Sequence, residues 1–236
     1  MKVRGRRECR DCGHQWSYYE TGAVDCPACG SLRSVGVDDR TRHTDTPTSL
    51  DLSPHRRAVD AGPLADAADD LKRDLRRYRT KRGFIRGGEL LPLDETYLAA
   101  TELLYAVDVL VRAGERTDDE ELYLLSLLRG ADIGDRPDVA TVPASMRAAR
   151  GLALTEAVDE YRREVLSWLD DNPDPDVRRV LGTVSELVKR TRALGGDVPL
   201  GESETLLAAT HDVSRALRTD DEAALVTARE RLARLS

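Results

Sequence analysis

From Leu64 onward, apolar residues recur every three or four positions. Leu64, Ala68, Leu71, Leu75 and Tyr78 make one stripe along a predicted helix. Asp94 is placed to cap a second helix, with Tyr97, Leu104, Val107 and Val111 inward and Gly114 at its end. A third starts at "TDDEELYLLSLLRG", capped by Thr117 or Asp118. Pro143 opens the next segment, which Gly151 is expected to interrupt, and Leu154, Val158, Tyr161, Val165 and Trp168 continue its stripe. "DNPDPD" is a break, because each proline disfavours helix in the residue before it. Val177, Leu181, Val184, Val188 and Leu194 mark a further helix closed by Gly195 and Gly196. Leu206, Val213 and Leu217 mark another, and Leu225, Ala228, Leu232 and Leu235 the last.

Residues 64–236 therefore predict about seven helices joined by short turns, an antiparallel bundle or a stack of helical hairpins. No strand-like alternation and no fixed repeat appear in this part. Residues 38–63 are rich in Asp, Thr, Arg and Pro without a sustained period, and read as a linker. A short helix over 54–60 is expected there, with Ser53 as cap and Pro54 in its first turn. Residues 1–37 differ again. "HQWSYYETGAVD" reads as a strand, a turn at Gly22 and a return strand, with Trp16 and Tyr18 alternating against polar neighbours so that both support one face. The expected fold is mostly α: a small N-terminal β unit (1–37), a linker (38–63) and an all-α domain (64–236).

Composition narrows the picture. Hydrophobic residues make up 40% of the chain but aromatic ones only 4%, so the core must be Leu, Val and Ala. No apolar run reaches membrane-spanning length, and "MKVRGRRECRDC" has no apolar core of a secretory signal, so a cytoplasmic location is expected. The net charge is -7, made of 32 Arg against 4 Lys and 27 Asp against 16 Glu. Abundant short carboxylates with few lysines suit a surface facing concentrated salt; a GC-rich genome accounts for the Arg bias alone. In molar salt the counterion-release drive for binding phosphates largely vanishes.

All four cysteines fall in "CRDCGHQWSYYETGAVDCPACG", as Cys9, Cys12, Cys26 and Cys29. Each pair is a CxxC turn followed by glycine, Gly13 or Gly30, which permits positive φ and turns backbone N–H groups toward the sulfurs. Two such loops face to face close a tetrahedron of thiolates, the structural zinc arrangement, with iron as the competing metal. Disulfides do not suit a chain without an export signal, and a dithiol redox motif needs a single CxxC in a βαβ setting.

CxxCG…CPxCG with this short gap resembles the zinc ribbon of transcription factor IIB-type proteins. It is also similar to the short rubredoxin-like domain of rubrerythrins. Both likenesses cover residues 1 to about 37. Rubrerythrins add a di-iron bundle built on Glu-x-x-His motifs, and none of His14, His43, His55 and His211 has a Glu three positions before it. The whole chain resembles haloarchaeal zinc-ribbon proteins of unknown function, and the resemblance implies Cys9, Cys12, Cys26 and Cys29 as ligands and nothing more. A complete factor of that type would need two cyclin-like helical repeats, and no duplicated pattern is present.

One basic island, "KRDLRRYRTKRGFIR", offers Arg73, Arg76, Arg77, Arg79, Lys81 and Arg82 as anion or nucleic-acid contacts, with Tyr78 and Phe84 interleaved. The local alternative is a helix that begins acidic and ends basic, with Asp69 and Asp70 spaced to pair with Arg73. "KVRGRRECR" is basic as well. "TDDEE" and "TDDEA" stand at helix starts, where carboxylates cap free N–H groups. "RGGELLP" lacks the ending of a phosphate loop, and with every cysteine committed to metal no nucleophile–base grouping remains. The expectation is a non-enzymatic metal-binding recognition or adaptor protein. Its partner is a protein, a transcription-type assembly or nucleic acid. The alternatives are an iron electron carrier and a pure protein scaffold.

Overall fold

The computed structural model describes residues 1–114 and 116–235; Ser236, the end of the expected helical domain, lies outside them. The chain is mostly helical with small sheets at its N-terminal end. Strand β1 (Lys2–Arg4) is followed by β2 (Arg6–Cys9), β3 (Gln15–Ser17), a one-turn helix α1 (Tyr18–Thr21), β4 (Ser34–Gly36) and β5 (Arg40–Arg42). β2 is the centre of a three-stranded antiparallel sheet ordered β3-β2-β4, while β1 pairs β5. No return strand follows Gly22. Ser17 leads straight into α1, and Gly22, at φ 64°, ends that turn with its N–H on the Tyr18 carbonyl. The strand that completes the sheet comes from beyond the second cysteine pair.

Helix α2 (Ser53–Ala61) precedes the bundle helices α3 (Leu64–Lys81), α4 (Glu95–Ala113), α5 (Asp118–Gly130), α6 (Arg147–Trp168), α7 (Pro175–Ala193), α8 (Leu200–Thr219) and α9 (Glu222–Ala233). The last seven match the helices expected from residue 64 on. Their starts follow the caps in the sequence. Asp94 accepts from the Tyr97 N–H, and Thr117 forms a reciprocal capping box with Glu120. Asp174 caps α7 ahead of Pro175, and Asp221 caps α9. Central α6 packs on α4, α7 and α8, and α8 and α9 form a tight hairpin. Leu, Val and Ala dominate the core, and its aromatic centre is small: Phe84 meets Tyr97 and Tyr161 edge to face, with ring centroids 5.0 Å apart in both pairs.

Several expectations need correction. Gly151 does not interrupt α6; the helix runs through it, and glycine is needed there because a Cβ would sit 2.6 Å from the Gly196 carbonyl oxygen. Val111 and Leu194 face solvent, 37% and 49% exposed, since each lies at a helix end past the last packed turn. Ser53 is the first residue of α2 rather than its cap; the Ser53 N–H is taken by the Asp51 carboxylate. Strands do occur beyond residue 63, as the hairpin of β6 (Ile85–Arg86) and β7 (Glu89–Leu90) turning at Gly87 and Gly88. Residues 38–63, expected as a linker, carry β5 and α2, and Leu52 and Asp45 within them are fully buried. Asp45 is clasped by Arg82 and Arg86.

Candidate metal centre

Cys9 ends β2, and the chain turns at once through Cys12 to Gly13. Cys26 opens a second turn of the same design. In the first, the Cys9 N–H donates to the His14 carbonyl (2.9 Å) and the Gly13 N–H to the Cys9 carbonyl (3.0 Å). In the second, the Cys26 N–H donates to Ser31 (2.9 Å) and the Gly30 N–H to Cys26 (2.8 Å). Gly13 and Gly30 have φ of 73° and 72°, the left-handed conformation that glycine adopts without a Cβ clash. The loops are laced together. The Arg10 N–H donates to the Arg33 carbonyl (2.8 Å), and Asp11 accepts from the Arg33 guanidinium (2.9 Å) and from Ser31.

This lacing converges the four sulfurs. Cys9 Sγ lies 3.7 Å from Cys29 Sγ, Cys12 Sγ lies 3.6 Å from Cys26 Sγ, and all four fall within 4.8 Å of one another. Four sulfurs each about 2.3 Å from a central ion in a tetrahedron stand about 3.8 Å apart. A disulfide needs about 2.05 Å. The donor set and its spacing thus fit a metal ion and exclude bridging. Cys9 and Cys26 are buried, and Cys12 and Cys29 face outward. Among the described residues no other cluster of possible ligands is present.

The electrostatics of the thiols fit a cation. Backbone N–H groups of Cys12 and Asp11 bring the Cys9 thiol down to about 7. The Ser31 N–H favours the Cys29 thiolate, but the three neighbouring thiols and burial outweigh it and push Cys29 up to about 12. At Cys12 the His14 N–H and the Cys29 thiol favour the thiolate, and burial with Cys26 and Cys9 overrides them to raise it. One thiolate forms readily and then opposes the next, and a divalent ion at the centre removes that opposition.

Trp16 is the hydrophobic support expected of it. Its ring forms a buried cluster with Cys9 and Cys26, and its indole N–H donates to the Ala23 carbonyl (3.0 Å). Tyr18 does not share that role. Helix α1 turns it away from the sulfurs, and its ring meets His43 at 5.8 Å. His14 stacks on Trp16 rather than joining the ligands.

The structure spreads the six candidate anion contacts. Arg82 turns inward to Asp45 and Asp94, and Arg79 lies beside Glu156 and over the Tyr97 ring. Arg73 pairs with Asp70 at 2.7 Å, and Arg76 reaches Asp108 at 3.9 Å. Arg77 is exposed and Lys81 half-exposed. Lys72 pairs with Asp69, at 3.4 Å.

Sequence reasoning missed the groups that seat the N-terminal head on the helices. Lys2 and Arg42 both reach Asp171 in the turn after α6, at 2.7 and 3.0 Å. Glu164 of α6 accepts from Thr44 and from the Phe84 N–H, and burial raises its pKa. No local spacing announces these pairs.

No helix among the described residues is long and apolar enough to cross a membrane. No curated protein and no solved structure matches the chain. A family model does, over residues 1–232: the chain belongs to a family of unknown function (DUF7117).

Proposed function

We propose that this is a non-enzymatic, cytoplasmic zinc-ribbon protein of the transcription factor IIB type, an adaptor whose metal-folded head meets a transcription-type assembly or nucleic acid while the helical body binds a protein partner. One observation carries the reading: four thiols on two matched glycine-ended turns at tetrahedral spacing, fixed by a lattice of backbone hydrogen bonds. Cys9, Cys12, Cys26 and Cys29 would hold zinc, which supplies folding free energy and no redox chemistry.

Charge favours protein over nucleic acid as the partner of the head. Residues 1–37 hold six Lys and Arg against four Asp and Glu. Four thiolates around a divalent ion carry a formal surplus of two negative charges. The basic excess therefore balances the centre itself and leaves no net positive field for a phosphate backbone. The composition supports a salt-loving host, where such a field would be screened further.

Elemental analysis of natively purified protein tests the metal: one zinc per chain and no colour is expected, and stoichiometric iron would establish the electron-carrier reading instead. Titration with DNA and RNA across a salt series tests the partner. Binding that persists at molar potassium would restore nucleic acid, and binding lost well below it supports a protein contact.

A further inference from the structure

We infer that the groove between α7 and α9 is a docking site for an acidic amphipathic helix of a protein partner. The inference rests on the reading of the helical body as a partner-binding part and gives that partner its chemistry.

The groove consists of two cavities of about 360 and 590 Å³ that share Thr183. Its floor is apolar: Val180 and Leu187 from α7, Leu232 and Leu235 from α9 and the residues just after it. Along α7 the lip runs Arg179, Thr183, Glu186 and Arg190, stepping by four, three and four, so these residues line one face of the helix. Exposed apolar side chains extend the surface: Val226, about one turn before Arg229 on α9, is 51% exposed, and Leu194, about one turn past Arg190, is 49% exposed.

The rim is basic in a chain whose net charge is -7. One carboxylate, Asp176, serves two guanidiniums, Arg179 at 2.6 Å and Arg229 at 3.4 Å. Arg190 reaches Glu202 at 3.3 Å and the Leu235 carbonyl at 3.1 Å. The guanidinium of Arg234 has no carboxylate partner among the described residues, and Glu186 already pairs with Lys189 at 2.8 Å. Positive charge is in surplus along an apolar trough, which calls for an occupant with hydrophobic anchors flanked by carboxylates. The stretch from Arg179 to Arg190 is about 16 Å long, three helical turns, the length over which anchors at i, i+4 and i+7 engage a groove. A nucleic-acid backbone would meet the arginines but leave the floor empty.

The test uses the zinc-loaded full chain and a fluorescent synthetic helix of about fifteen residues with Leu at i, i+4, i+7 and i+11 and Glu between them. A second peptide has every Glu replaced by Lys. Anisotropy is expected to show the Glu peptide binding at least ten-fold more tightly than the Lys peptide. The pairs Arg179→Gln with Arg229→Gln, and Thr183→Gln with Ala233→Gln, should each weaken it at least ten-fold, with circular dichroism unchanged and melting shifted by no more than a few degrees. All of these side chains are exposed or half-exposed, so the fold has no reason to fail. Equal or tighter binding of the Lys peptide, variants that bind like the parent, or no binding at about 1 mM would overturn the inference. So would sedimentation showing a concentration-dependent dimer that either pair abolishes, because the occupant would then be a second copy. Binding in the groove should survive chelation of the metal, so loss of the zinc reading and loss of this one are separately visible.

Discussion

Removing the metal should unfold the head and leave the helical body standing. The head has almost no apolar core; its buried hydrophobic cluster is Cys9, Trp16 and Cys26. Structural zinc in small domains contributes about 10–16 kcal/mol of folding free energy at neutral pH, which nothing else in the head can replace. The body loses far less. Residues 1–37 meet the rest of the chain through the β1–β5 ladder, through Tyr19, which bonds Thr41 and packs against His43 and Gly87, and through the Lys2–Asp171 pair, 51% and 35% exposed, a kind that contributes about 0–1 kcal/mol. The buried junction is made instead by Thr44, Asp45 and their partners, beyond the cysteines in sequence. Even a few such contacts amount to about 2 kcal/mol, a fall of about 4–8 °C in the melting point of a body this size. The chain's two tryptophans allow the parts to be followed separately: Trp16 packs at the metal centre and Trp168 in the body, where its indole N–H holds the Gly88 carbonyl at 2.8 Å. In a Trp168→Phe background, a strong chelator or Cys26→Ser should abolish the Trp16 signal while far-ultraviolet circular dichroism keeps its helical amplitude. One cooperative transition, in which the helices melt with the head and shift by tens of degrees, would refute the reasoning.

Other consequences can be measured on the body alone. Arg150, 2% exposed, donates to Glu102 (3.0 Å), Glu204 and the Pro137 carbonyl, while Glu102 also accepts from Tyr123 and Arg136; Arg150→Met should cost about 3–5 kcal/mol by urea titration, and adding Glu102→Leu should cost less than the two single changes summed. Gly151→Ala, which presses a methyl on the Gly196 carbonyl, should cost about 1–3 kcal/mol, whereas Gly182→Ala, with open space at its Cβ, should be neutral or stabilising. Burial lowers the folded pKa of His211 below 6.5, so the unfolded chain binds the proton first and stability falls as pH drops through that range; the urea midpoint should decline from pH 7 to 5, and His211→Gln should flatten the slope.

Much of this architecture is legible in the linear chain. Asp94, Thr117, Asp174 and Asp221 sit where caps are needed, and each caps its helix, because the groups they satisfy lie two or three residues away. The stripes through Leu71, Val107 and Val158 are buried, because helical periodicity is a local property of spacing. The cysteine quartet is legible for the same reason: a CxxCG turn is complete within five residues. Tyr18 misled the reading because period-two alternation cannot tell where a strand stops, and α1 begins at that residue.

Local spacing gave the Arg73–Asp70 pair, but charge partners distant in sequence were not legible. Arg150 and Asp45 look in the sequence like ordinary polar surface residues, and each is buried because its partner arrives from a distant element: Glu102 is 48 positions from Arg150, and Arg86 is 41 from Asp45. The amino-acid order alone therefore determined the turns that hold the sulfurs, the helix starts and the inward faces, all set by interactions a few residues long. Which carboxylates go inside, how the head seats on α6 and where a groove opens between α7 and α9 were decided only when the helices packed, since burying a charge is tolerable only where packing delivers its counter-charge.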